Sequence, residues 1–320
     1  MNITSTIITA SDGTPLSLYD VCRFLSKQQW KHILKQLKQE GIHIERIEAY
    51  EYPEVRDIKH LFIRFEKEKE DTPFYLLSPE IFSKLTNAIL PHNKIDCISS
   101  HHEQFNQIIH QSHIIITGNN NHVSMHFDSE ENVEKLLLNE GFLLIIKGNN
   151  NTVNLGTIIL RYSNILGMSG LKLIIGQLPG LGAGVSRVAN NCRVDIGNRV
   201  VINGVTLYLQ EDKSNVSIGE DSQLSWGIDI WCTDAHTITN LKGEPINFAQ
   251  SIEIGKHVWV GKDVKIGKNT KIPDNSIVGW GSIVTKVFNE PNIILAGIPA
   301  KIVKRGINWD RRCINKYLLE

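Results

Sequence analysis

What this chain has little of narrows it first. Neither sign of charge is in excess: 34 basic residues balance 34 acidic ones, so no long-range field draws in DNA, RNA or an anionic membrane. Cysteine is sparse. Cys22, Cys97, Cys192, Cys232 and Cys313 are odd in number and form no CxxC pair, which argues against a disulfide framework and the common zinc and redox motifs and reads as reduced cytosolic thiols. No apolar stretch approaches the roughly 18 residues of a membrane span. The start, MNITSTIITASDGTPLSLYD, lacks the basic and apolar regions of a secretion signal. A cytoplasmic protein is expected, with peripheral attachment to a membrane-bound assembly left open. Histidine is scarce too in the carboxyl-terminal part: residues 127–320 hold only His236 and His257, against ten in residues 1–126.

At 320 residues the chain has room for more than one module. Residues 1–105 read as a small α/β domain of unknown role. Trp30, Ile33, Leu34 and Leu37 recur at helical spacing over Leu25–Glu40, KHLFIRF at Lys59–Phe65 reads as a strand, and Pro79–Leu90 reads as a short helix with Ser78 as N-cap. Residues 106–305 read differently. HIIITGNNNHVSMHF is followed by FLLIIKGNNNTVNLG, an internal repeat that aligns Gly118–Asn121 with Gly148–Asn151. Asparagine and glycine tolerate positive φ, so GNNN between aliphatic strands suits tight corners.

From Ile254 an aliphatic residue falls at every sixth position: Ile254, Val260, Ile266, Ile272, Val278 and Val284. Neither a helix nor a flat sheet has that period. It is the period of a parallel β-helix, in which each hexad makes one short strand and one corner of a prism and the aliphatic residue points inward. The fold class is therefore mainly β, a parallel β-helix solenoid preceded by the α/β domain and followed by a short extension at 306–320.

Residues 252–304 closely resemble the hexapeptide-repeat acetyltransferases of the maltose, galactoside and serine group. The motifs are VWVG at 258–261, GWGSIVTK at 279–286 and AGIPAKIVK at 296–304. WCTDAHTITNLKGEPIN at 231–247 and INWDR at 307–311 look more like the branch that O-acetylates bacterial capsular and lipopolysaccharide sugars, polysialic acid included. The resemblance implies a left-handed β-helix, acetyl-CoA as co-substrate, no metal, and a homotrimer with the coenzyme A groove between neighbouring solenoids. It also implies a glycan acceptor, polymeric in that branch.

His236 stands where this family keeps its catalytic histidine, and an imidazole is suited to taking a proton from a sugar hydroxyl. Asp234 is the candidate to orient it, with Asp229 second; His257 reads as a solvated corner residue. Trp259 occupies the family position beside the thioester. A glycine corner exposes backbone amides, which makes the N–H groups of Gly261 and Lys262 candidates for the oxyanion. By position in the family motif, Gly279, Trp280, Ser282, Thr285 and Lys286 line the pantetheine arm, and Ala296, Gly297, Pro299, Lys301, Lys304 and Arg305 lie towards the nucleotide. Trp280 departs from the small alanine usual there. Tyr208, Trp226 and Trp231 precede His236 and are candidates for stacking on a sugar. The loop from Asn240 to Ser251 breaks the hexads and is the place to look for the acceptor site.

Several alternatives stand beside this reading. Cys232 as a ping-pong nucleophile lacks a supporting base motif. A zinc-dependent carbonic anhydrase of similar architecture needs three histidines, and the solenoid's regular half has two. A small sugar, an amino-sugar nucleotide or a serine-like acceptor would use the same machinery, and a non-catalytic scaffold would use none of it. The glycine-rich run Gly176–Gly184 matches no phosphate-binding motif and reads as a corner.

Overall fold

The computed structural model describes residues 92–98, 113–126, 142–163, 168–177 and 188–319, together with short segments of the first 91 residues. The coils stack their strands into three parallel ladders, which form the faces of a prism; among the described residues the third ladder starts at the end of Thr152–Leu160. The first face stacks Leu143–Lys147, Met168–Ile175, Gly204–Leu209, Ile228–Cys232, Lys265–Gly267 and Ile283–Val284. The second stacks Lys94–Ile98, His122–His126, the start of Thr152–Leu160, Arg193–Ile196, Asn215–Ile218, Ser251–Ile254 and Thr270–Ile272. The end of Thr152–Leu160 turns onto the third face, which continues through Val200–Ile202, Gln223–Leu224, Trp259–Val260, Ile277–Val278 and Ile293–Gly297. Ala300–Arg305 then closes that face antiparallel.

The hexad residues are the core. Ile254, Val260, Ile266, Ile272, Val278 and Val284 are each at most 2% exposed, as are Leu224, Ile230 and Ile252 one coil away or less. Burying one such side chain is worth roughly 1.5–3 kcal/mol. No hexad could realise that alone, because the water-excluding neighbours above and below belong to other coils.

The three asparagines of each GNNN have three different tasks. Asn120 and Asn150 take the left-handed conformation, at φ 58° and 57°. Asn121 and Asn151 point inward and form a buried ladder: the Asn151 amide donates to Asn121 Oδ1 at 2.9 Å, and Asn121 in turn to Asn93 Oδ1 at 2.9 Å. Asn119 and Asn149 start an outer ladder, in which the Asn149 N–H donates to Asn190 Oδ1 at 2.9 Å and the Asn190 N–H to Asp212 Oδ1 at 2.8 Å. The ladders satisfy backbone donors at corners where the strands cannot.

Lys59–Phe65 is a strand, paired antiparallel with Ile44–Glu51. Tyr19–Val21 pairs parallel with His113–Thr117 and so carries the first face back towards the amino terminus. Coil pairing reaches Lys94–Ile98, inside the segment assigned above to the amino-terminal domain; Ser83 and Asn87 accept its Cys97 and Ile95 N–H groups. Of the expected Leu25–Glu40 helix only Lys35 is described, and of Pro79–Leu90 only Ser83 and Asn87, all three helical; the Ser78 cap and most of Gly176–Gly184 lie outside the described residues. Among the described residues no helix is long and apolar enough to cross a membrane, and no cluster of three metal-ligating side chains occurs.

Candidate active site

His236 lies on the edge between the first and second faces, in the long connection from Cys232 to Ser251. Ala235, just before it, is held at φ 61°, a left-handed conformation that costs a β-carbon-bearing residue about 1–2 kcal/mol. Two devices hold the loop there. Glu211, from the preceding coil, accepts the Thr233 hydroxyl through Oε1 at 2.9 Å and the Ala249 N–H through Oε2 at 2.8 Å, tying both ends of the loop to one carboxylate. Thr233 Oγ1 then accepts the Ala235 N–H at 2.8 Å. Asn247 donates to the His236 carbonyl and to Asp234 Oδ2, each at 2.8 Å, and accepts the Ile238 N–H at 2.9 Å. The coil corners use the same left-handed conformation, at His257, Asp263, Asn269 and Asn275 among others; at Ala235 it is held by bonds from side chains.

The imidazole of His236 is exposed and makes no hydrogen bond among the described residues. It opens on a cavity of about 380 Å³ whose wall includes Gln210, Glu211, Asp212, Thr233, Thr237, Pro245, Asn247, Phe248 and Ala249. Phe248 is 65% exposed there. Asp234 does not turn to His236. Its carboxylate is bound by Lys268 Nζ and by Asn247, and Lys268 above all, against a smaller opposing push from burial, holds it below the ordinary carboxylate value. The reason is register: Lys268 sits one coil on at the same edge, closer to Asp234 than the neighbouring imidazole is. Asp229 is likewise occupied, by Lys265.

The donor candidates fall on two edges. Thr285 and Lys286 are exposed on the edge that carries His236. Gly261, Lys262, Gly279, Trp280 and Ser282 form the edge between the third and first faces, and Ala296, Gly297, Pro299 and Lys301 the adjoining turn at the end of the third face. The Gly261 N–H is already committed to the Val278 carbonyl at 2.8 Å, whereas the Lys262 N–H has no partner among the described residues. Of the two oxyanion candidates, only Lys262 presents a free donor. A β-carbon at Gly261 would lie 2.8 Å from the Val278 carbonyl oxygen, so this close stacking requires glycine. Ser282 is buried and accepts the Gly297 N–H at 3.1 Å, shaping the groove from beneath. Trp280 turns outward: it is 72% exposed, its indole N–H reaches Asp263 Oδ2 at 3.3 Å, and Lys262 Nζ lies 5.2 Å from its ring. Lys304 is exposed, and Arg305 pairs with Glu290 at 3.0 Å.

Trp259 projects from the third face and is 39% exposed. In a three-sided prism that face lies opposite the edge bearing His236, so one chain does not bring the two together. Tyr208 and Trp231 do meet, stacked at 5.2 Å and 21° on the first face. Trp231 is in register with Gly267, which offers no side chain beside it. Trp226 is apart from them, at the edge between the third and first faces. Burial pushes the Cys232 thiol up to about 12, which disfavours a nucleophilic thiolate. His257 is no solvated corner residue; it is held between Asp221 and Trp309.

A three-faced parallel coil with hexad aliphatic columns is the architecture of the hexapeptide-repeat proteins. No family model matches the chain. Over 193 residues it is 33% identical to the polysialic acid O-acetyltransferase of Neisseria meningitidis, covering 59% of this chain and 89% of that one. It is 39% identical over 127 residues to an uncharacterised 24.8 kDa protein in the cps region of Klebsiella pneumoniae, covering 38% of this chain and 56% of that one. The solved structures of the polySia specific acetyltransferase NeuO and the polysialic acid O-acetyltransferase OatWY align with 69% of this chain and with 90% and 89% of theirs, at 26% and 28% identity and TM-scores of 0.47 and 0.49. The chain belongs to the hexapeptide-repeat acetyltransferase family that includes the polysialic acid O-acetyltransferases, and it is an acyltransferase with a parallel β-helix fold.

Proposed function

We propose that this enzyme transfers acetyl from acetyl-CoA to a hydroxyl of a bacterial surface polysaccharide, by direct attack with His236 as general base. The observation that carries the reading is the His236 loop: an unpartnered imidazole, on a strained and doubly tied segment, at the mouth of a cavity. The imidazole takes the proton of the acceptor hydroxyl as its oxygen attacks the thioester carbonyl. The tetrahedral oxyanion accepts the Lys262 N–H, and its collapse forms the ester and releases the coenzyme A thiolate, which takes up a proton. Trp259 packs on the pantetheine arm. Tyr208 and Trp231 offer a stacking surface for sugar rings, and the named activities of the relatives favour a polymeric glycan acceptor.

Base and thioester wall lie on opposite sides of one prism, which supports a homotrimer in which His236 of one chain meets Trp259 of the next. Residues 106–305 act in this reading as the catalytic solenoid, to which Lys94–Ile98 adds a strand, the rest of 1–105 as an amino-terminal domain and 306–320 as an extension, in the cytoplasm beside the capsule-assembly machinery.

The test is transfer of labelled acetyl from acetyl-CoA to capsule oligosaccharides, free sugars, amino-sugar nucleotides and serine. An ester on an oligosaccharide is expected, and His236→Ala lowers kcat by about 10²–10⁴, the usual worth of a positioned base. Full activity in that variant removes the base assignment. No product with any acceptor leaves a scaffold.

A further inference from the structure

The INWDR segment at 307–311 is absorbed neither by the base loop nor by the donor groove. It folds back on the edge between the second and third faces, where Arg199, Asp221 and His257 occupy successive left-handed corners at φ 59°, 60° and 51°. Trp309 is only 9% exposed although it lies beyond the last coil. Its indole N–H donates to the His257 carbonyl at 2.7 Å, and its ring stacks on the imidazole with centroids 4.4 Å and planes 13° apart. The imidazole is held from both ends: Nδ1 lies 2.6 Å from Asp221 Oδ2 and Nε2 3.0 Å from the Trp309 carbonyl. Arg311 completes the clamp, donating to Asp221 Oδ1 at 3.1 Å and to the carbonyls of Asp221 and Arg199 at 2.7 and 3.2 Å.

This clamp ends on Trp259. The Trp309 ring lies 6.1 Å from the Trp259 ring, tilted by 42°, within the range of favourable aromatic pairs. The outward neighbours of Trp259 in its ladder are Gln223 and Ile277, and Arg311 reaches Gln223 Oε1 at 3.4 Å. The tail therefore occupies one flank of an indole that otherwise stands out from an open sheet face.

We propose that Trp309 is a positioning residue for the donor half of the reaction: anchored by His257, Asp221 and Arg311, it sets the plane of Trp259 and so the wall on which the thioester arm lies. The inference rests on the reading of Trp259 as that wall. Losing the tail leaves Trp259 in place but free to turn, so its cost falls on acetyl-CoA and not on the acceptor.

The test uses the full chain, with Trp309→Ala, the milder Trp309→Phe, and Arg311→Lys. Trp309→Ala is expected to raise KM for acetyl-CoA about tenfold, a modest cost beside the hundredfold that ångström-scale misplacement can bring, and to leave the acceptor KM within about twofold. In protein labelled with 5-fluorotryptophan, the Trp259 ¹⁹F resonance, identified by Trp259→Phe, should shift or broaden in all three variants. A Trp259 resonance unmoved in Trp309→Ala overturns the proposal, as does an unchanged acetyl-CoA KM with a lowered melting temperature. If Trp259→Phe itself leaves the acetyl-CoA KM unchanged, the donor-wall reading fails instead. Should Trp309→Ala not fold, Trp309→Phe and Arg311→Lys decide by the same two readouts.

Discussion

The coils from Ser251 to Val284 and the loop from Thr233 to Gln250 are adjacent in the chain and opposite in construction. In the coils every sixth residue is aliphatic and buried, and the short strands pair in register with those of the coil beside them. The loop buries little and is held by side chains. In the proposed reading stability resides in the first and chemistry in the second, and the two are joined through Lys268, which binds Asp234 and the Asn247 carbonyl, and Asn269, which accepts the Gln250 N–H and donates to the Phe248 carbonyl.

That division should be separable by mutation. Ile266→Ala empties part of the aliphatic column and is expected to cost about 2–5 kcal/mol of stability, while kcat per folded molecule stays near the parent value. Denaturant unfolding alongside initial rates checks it, and a large fall in kcat would show that coil and loop are coupled. Glu211→Ala should do the reverse. It frees both ends of the loop, so kcat is expected to fall about ten- to hundredfold through misplacement of His236, with stability reduced by about 1–3 kcal/mol for the two unmet donors. Glu211→Gln, which can still accept one of the two bonds, should lie between.

The smallest effect is that of pH on the Asp221 corner. Burial raises this carboxyl, but the bonds to His257 and Arg311 outweigh it and leave its folded value below the ordinary 3.8. A carboxyl lowered on folding adds stability that is complete above its unfolded value and is lost as pH falls through its folded one. The stability gap between the parent and Asp221→Asn should therefore be constant above about pH 5 and shrink below the ordinary aspartate range. A gap that widened on acidification would contradict a lowered Asp221.

The coils were legible in the sequence because their stabilisation is periodic: an aliphatic residue recurring every sixth position suits neither a helix nor a flat sheet, and only a coil of that period buries them all. The corner function of GNNN was legible too, though not that its fourth residue forms a buried ladder through Asn121 and Asn151. His236, Trp259 and the glycine corners came from motifs. What sequence could not show depends on stacking between distant residues. Glu211 meets Thr233 across 22 positions and Ala249 across 38, and Trp309 meets His257 across 52; no local pattern marks any of them. The pairing of Asp234 with His236 failed for the same reason, because the next coil places Lys268 there. The Gly261 N–H reads as a free donor in the sequence, because its ladder bond to Val278 depends on the neighbouring coil.

The central claim is that His236 and Trp259 serve one reaction from different chains. Co-expressing His236→Ala with Trp259→Ala and measuring acetyl transfer by the mixed assemblies tests it directly. Each variant alone should be nearly inactive. If the site is shared, random mixing in a closed ring restores about a quarter of the parent activity, because that fraction of interfaces pairs an intact histidine with an intact tryptophan. Mixed assemblies no more active than the two variants apart would place both residues in one chain's site and contradict the claim.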